Sequence, residues 1–149
     1  MEFKIIAFVD SDYTEDTVTR RSRTGFLVKL NSAPIYRLPK KQSVIETLSF
    51  GSELMAMKYC CEYICGLRYK LKMMGVFVNG PAYIFSDNKL VLSNESIPDS
   101  VLWKKSNSIA YHCIRESSAA GKWRTLYIGT NCRYAIQTFG RWRKEKEVN

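Results

Sequence analysis

A chain of 149 residues with 46% hydrophobic and 25% charged residues has the makings of one globular domain with an ordinary core, not of a disordered segment. No apolar stretch approaches the roughly 20 residues of a membrane-spanning helix, and the strand-like run after Met1 is interrupted by Lys4, so neither a membrane nor a secretory leader is expected. The net charge of +9 is large for this size and attracts polyanions, nucleic acid above all, by releasing their condensed counterions.

Along the chain, Phe3 to Val9 reads as a first strand, ended by Asp10. A polar, basic turn from Thr17 to Gly25, with Arg20, Arg21 and Arg23, leads into a second strand, Phe26 to Leu30. Asn31 to Pro34 is a turn, and Ile35 to Leu38 a third short strand that closes an antiparallel meander. Pro39, Lys40, Lys41 and Gln42 then form a basic loop. The clearest helix follows: Met57, Cys60, Ile64, Leu67, Leu71 and Met74 recur at steps of three and four, an apolar stripe from Leu54 to Met74. Ser49 or Ser52 is its cap, Glu53 falls in its first turn, and Gly75 stops it. Gly80-Pro81 turns the chain into a strand from Ala82 to Ser86, followed by Asp87. A short helix from about Asn88 to Asn94 and a loop from Ile97 to Ser100 precede a second long helix, Lys105 to Ala119. Ile109, Cys113 and Ala120 are its expected inward positions; Gly121 ends it, and Lys122 to Ile128 is a last strand. A meander followed by strands that need helical crossovers makes one mixed sheet with helices packed on it.

The five cysteines are odd in number, which with no leader points to reduced, intracellular thiols in the cytoplasm or nucleus. Cys60, Cys61 and Cys65 lie in a helical stretch without a partner pair at zinc-like spacing. The one histidine, His112, neighbours Cys113, but adjacent helical residues point about 100° apart and make a poor metal pair. The thiols are therefore read as small buried apolar groups.

Three carboxylates stand out instead. Asp10 and Asp87 each end an apolar strand, and Glu53 opens the long helix. Acids so placed can converge from distant parts of a chain on one site for paired divalent ions, the requirement for metal-assisted phosphodiester hydrolysis. Asp12, two residues beyond Asp10, shares its strand face and is a secondary candidate.

The order strand-Asp, helix-Glu, strand-Asp resembles the ribonuclease H fold, and the chain is similar in particular to the ribonuclease H domain of copia-type retrotransposon Pol polyproteins. The similar stretches are Phe8-Val9-Asp10-Ser11-Asp12-Tyr13, Arg21 to Phe26, Ala33 to Tyr36 with Lys40-Lys41-Gln42, Glu46 to Glu53, Phe85-Ser86-Asp87-Asn88, and Ala110 to Glu116. The resemblance implies an α/β fold with a mixed five-stranded sheet, an antiparallel three-strand meander and then parallel strands. It implies Asp10, Glu53 and Asp87 as catalytic ligands of two Mg²⁺ (or Mn²⁺) ions, and the RNA strand of an RNA–DNA hybrid, or another duplex nucleic acid, as the target. Arg20, Arg21, Arg23, Lys40 and Lys41 would grip phosphates without reading sequence. The family's domain follows a reverse transcriptase in the same polyprotein, so this chain resembles a fragment of a decayed element, or a gene model cut from one.

The tail departs from the pattern. The family carries a fourth acid after its last strand, in a motif like Ala-Asp-x-x-Ser/Thr-Lys-Pro-Leu, yet here no Asp or Glu occurs between Glu116 and Glu145. Sliding the motif along the chain puts Ala135 or a near neighbour where the acid belongs. With one choice of synonymous codons, Cys132 to Gly140 read one nucleotide later become Ala-Asp-Thr-Leu-Ser-Lys-Pro-Leu. The expectation is a ribonuclease H-like domain over residues 1–130 and a frameshifted basic tail over 131–149. Loss of one carboxylate should impair the nuclease; the alternatives are a catalytically dead relic that still binds nucleic acid, or a structural recruit.

Overall fold

Alternation of buried and half-buried residues marks the three central strands of the sheet. The computed structural model describes residues 2–12, 23–41, 49–86 and 105–128. Strand β1, Ile5–Asp12, buries Ile5, Ala7 and Val9 and leaves Ile6 and Phe8 half-buried on the other face. Strands β2, Arg23–Leu30, and β3, Ala33–Lys41, follow as an antiparallel meander, joined by Asn31 and Ser32. Asn31 adopts φ 56°, a left-handed conformation that asparagine tolerates better than most residues. Its N–H donates to the Lys4 carbonyl and its Oδ1 accepts from the Lys4 N–H, each at 2.8 Å, which ties the hairpin to the start of β1.

Helix α1, Ser49–Met73, packs across β1 and β2. Its buried side is Leu54, Met55, Ala56, Met57, Cys60, Cys61, Ile64 and Leu71. Gly75, at φ 76°, ends it: the Val76 N–H donates to the Leu71 carbonyl at 2.9 Å and the Gly75 N–H to that of Lys72 at 3.0 Å. Strand β4, Ala82–Ser86, then pairs parallel to β1. Helix α2, Lys105–Ala119, lies against α1 and closes with the same pair of bonds around Gly121, whose φ is 71°. Strand β5, Trp123–Tyr127, pairs parallel to β4, giving the sheet order β3-β2-β1-β4-β5. Trp123, 1% exposed, is among the largest fully buried side chains of the core, with Phe26, Ile5, Leu54 and Ile84.

The mixed five-stranded sheet is the expected one, and the boundaries of β4 and α2 fall where the sequence puts them. Other expectations need correcting. Met74 lies past the end of α1 and is 68% exposed, so the stripe stops at Leu71. The helix starts at Ser49, which places Ser52 inside it and Glu53 beyond its first turn. On α2, Ile109 is 52% exposed and Ala120 exposed; Ala110 and Ile114 face the core instead. Lys40 and Lys41 lie within β3 and Arg23 within β2, not in loops. The expected helix from Asn88 to Asn94, the loop from Ile97 to Ser100 and the tail over 131–149 lie outside the described residues. Among the described residues no helix is long and apolar enough to cross a membrane.

Candidate functional site

Strand direction decides which candidate residues meet. β1 and β4 run side by side in parallel, Ile6 against Tyr83 and Val9 against Ser86. Adjacent strands lie about 4.8 Å apart, so the ends of these two emerge together. Asp10 follows Val9 directly, and Asp87 follows Ser86; Asp87 itself lies outside the described residues. The stacked rings of Phe8 and Phe85, centroids 5.3 Å apart and planes at 17°, brace this register from the face opposite α1.

Glu53 comes from α1, the helix between β3 and β4. β3 ends at Lys41, which pairs with Arg23, itself paired with Asp12 of β1. α1 packs on β1 and β2 and leads to Ala82, where β4 begins. Within α1, Glu53 is in line with Ala56 and Met57, three and four residues on, and then with Cys60 and Ile64, all 0% exposed. It thus occupies the sheet-facing side of the helix, half-buried, at the head of the apolar stripe. A carboxylate there stands where a leucine would otherwise extend the core.

The basic candidates gather at the end of β1 that carries Asp10. Arg23 lies opposite Asp12 on one side and Lys41 on the other, and Thr24 opposite Lys40. Arg20 and Arg21 lie outside the described residues. β5 also ends here: the Ile128 N–H donates to the Ser86 carbonyl at 3.0 Å, and the chain leaves the sheet at the end that carries Asp10.

The thiols form no centre of their own. Cys60 and Cys61 are buried, and burial pushes both thiols well above their ordinary range; for Cys61 the neighbouring Cys60, Cys65, Cys113 and Glu62 add to the effect. Cys65 and Cys113 are half-buried, less than expected. Among the described residues no group of three or more histidine, cysteine, aspartate or glutamate side chains is placed to hold a metal ion. Sequence reading missed an aromatic cluster on the other flank of α1. Tyr63 stacks on Tyr36 at 3.9 Å and touches Phe26 at 5.9 Å, joining the helix to β2 and β3. The sequence signal was faint, because these residues are far apart in the chain and only the sheet order brings them together.

No family model matches the chain. Solved structures do. A ribonuclease H1 from the archaeon Halobacterium salinarum superposes with a TM-score of 0.61 at 9% identity, over 88% of this chain and 89% of that one. LC11 ribonuclease H1, isolated from compost by a metagenomic approach, gives 0.59 at 13% identity, over 91% of each chain. The same LC11 enzyme in complex with an RNA/DNA hybrid gives 0.58 at 13% identity, over 86% of this chain and 87% of that one. Sheet order, crossover helices and these superpositions agree: the chain has the ribonuclease H fold.

Proposed function

We propose that this chain derives from the ribonuclease H domain of a copia-type retrotransposon polyprotein, once joined to a reverse transcriptase. It binds an RNA–DNA hybrid at the C-terminal end of β1, and its cleavage of the RNA strand is impaired. What supports this reading is the parallel pairing of β1 and β4, Val9 opposite Ser86, which brings Asp10 and the residue before Asp87 to one end of the sheet, with Glu53 on the sheet-facing side of α1.

Asp10, Glu53 and Asp87 are the residues that would hold divalent ions. Carboxylate oxygens are hard donors, suited to Mg²⁺ or Mn²⁺ rather than to the nitrogen and sulfur preferences of zinc. Bound there, the ions would lower the pKa of an attacking water and offset charge on the scissile phosphate and the leaving 3′ oxygen. Glu53 is held by a helix packed on the sheet, which fixes its approach; Asp10 is held by its pairing with Gly25. Arg23, Lys40 and Lys41, with Arg20 and Arg21, bind phosphates and orient the duplex, and 2′-hydroxyl contacts distinguish its RNA strand.

Impairment follows from the tail. The family supplies a fourth acid after β5, and Gly129 to Gly140 contain none. Losing one ligand misplaces an ion, and for a reaction that depends on ion spacing the loss is on the order of 10² or more in rate.

The test is cleavage of an end-labelled RNA–DNA hybrid in Mg²⁺ and in Mn²⁺ by the chain, by Asp10→Asn, and by a version with Ala-Asp-Thr-Leu-Ser-Lys-Pro-Leu in place of residues 132–140. We expect hybrid binding by all three, weak or no cleavage by the chain, and a gain with the restored motif that Asp10→Asn abolishes. Failure to bind hybrid, or a restored motif without effect on cleavage, would refute the proposal.

A further inference from the structure

The far end of the molecule carries a surface that hybrid binding does not use. Between Glu62 and Asp87 the chain has no acidic residue, while Arg68, Lys70 and Lys72 fall in the last turns of α1. Complementing the helix dipole accounts for cations there. It does not account for their neighbours. Tyr69, Met73, Met74 and Phe77 are 66%, 71%, 68% and 68% exposed, well above the 40–52% of the other large exposed apolar residues among those described. Four such side chains fall within nine residues, and exposed apolar groups concentrated in this way mark contact with another molecule.

Here Arg68, Tyr69, Lys72, Val76, Phe77 and Val78 enclose a hollow of about 240 Å³. Arg68 Nη2 donates to the carbonyls of Gly80, at 2.8 Å, and Val78, at 3.4 Å, so the guanidinium is fixed against the loop before any partner arrives. Its Nη1 is shielded from solvent and makes no hydrogen bond, so Arg68 offers the hollow its positive charge rather than a free donor. Lys72, one helical turn on, adds a second like charge at the same mouth, a repulsive arrangement that an incoming carboxylate would reverse.

We propose that this hollow and its rim dock an acidic, apolar polypeptide segment. One Asp or Glu of the partner sits between Arg68 and Lys72, and its apolar side chains cover Tyr69, Met73, Met74 and Phe77. Methionine supplies adaptable area without a flat stacking face, which favours a polypeptide over a nucleic-acid base. The surface lies at the Ala82 end of β4, four residue steps from Ser86, or about 13 Å along the strand. A docked partner would thus leave the Asp10 end open.

The experiment pans a phage-displayed library of random 12-residue peptides on the whole chain. The enriched peptides are then synthesised and titrated into ¹⁵N-labelled protein and into Lys72→Glu and Phe77→Ser, exposed positions whose replacement should leave the circular dichroism spectrum unchanged. We expect enriched peptides with Asp or Glu beside Leu, Phe or Trp, amide shifts confined to residues 66–82, and a loss of affinity of about tenfold or more in each variant. Unchanged hybrid binding by both variants is part of the expectation. Basic or purely apolar peptides, shifts elsewhere, or equal affinity for Lys72→Glu would overturn the proposal. So would self-association of the wild type that Phe77→Ser abolishes, or displacement of the peptide by single-stranded RNA or by vesicles containing phosphatidylserine.

Discussion

The stack of Phe8 on Phe85 makes the β1–β4 register measurable. Each ring lies two residues before a candidate aspartate, and the two are direct partners across the parallel pair. Replacing either by leucine keeps most of the apolar area and removes the ring-on-ring term. That term is worth about 0.5–1.5 kcal/mol beyond burial, and half-buried rings belong near the middle, about 1 kcal/mol. Phe8 also carries the Lys29 ammonium at 5.6 Å from its centroid, a contact worth about 0.5–1 kcal/mol at an accessible site. Phe8→Leu should therefore destabilise more than Phe85→Leu. The lysine contribution is lost in both Phe8→Leu and the double variant, so it cancels from the coupling. Urea unfolding of the four proteins, followed by tryptophan fluorescence, gives the coupling directly. Additivity within about 0.3 kcal/mol would mean that the rings do not hold each other, and the side-chain basis for juxtaposing Asp10 and Asp87 would fall.

Further outcomes test other parts of the fold. Ile114→Ala should cost about 2–4 kcal/mol, or about 6–12 °C in Tm, whereas Ile109→Ala should stay within about 0.5 kcal/mol; the reverse ranking would rotate α2. Gly66→Ala should stabilise by about 0.5–1 kcal/mol in thermal unfolding, because a Cβ there meets nothing within 4 Å in mid-helix, while Gly121→Ala, at φ 71°, should destabilise. Above pH 9 the protein should lose stability. Cys60, Cys61 and Tyr63 keep their protons longer folded than unfolded, so the unfolded state ionises first, beginning near the ordinary values of 9.0 and 10.0. Chemical denaturation at pH 8, 9 and 10 checks this, and a flat profile would contradict the burial of these groups. Iodoacetamide on the native protein should spare Cys60 and Cys61 while modifying Cys65 and Cys113, as mass spectrometry of the digest would show.

Residue pattern made some of this visible and concealed the rest. β4 and α2 were legible because turn residues bound them: Gly80-Pro81 before the strand and Gly121 after the helix. The length of β3 was not, since Pro39, Lys40 and Lys41 read as a stop. Pairing with Gly25, Thr24 and Arg23 extends the strand regardless, as an outer strand permits. Ile109 misled because hydrophobicity of one residue does not fix a helix's rotation; Ala110, the weaker signal, is the buried position. The apolar run ending at Val9 marked Asp10, but β1 continues through it to Asp12, because pairing with Gly25, Thr24 and Arg23 extends the strand past its apolar part. The placement of β1 beside β4 needed the parallel crossover, which no local period encodes. Arg68 was invisible for a similar reason: its acceptors lie 10 and 12 residues away, on a loop that turns back over the helix.

β3 and β5 form the two margins of the sheet among the described residues, and each is poorly suited to recruiting a stranger. β3 contains Pro34 and Pro39, which offer no N–H, and is kinked where the pairing slips between Val28 and Lys29. β5 is only five residues long and is flanked by Lys122. Amyloid-like stacking requires an unbroken row of donors and acceptors, and neither border supplies one. Such a chain should remain dispersed at concentrations where a flatter sheet would polymerise, a property that would outlast any loss of catalysis.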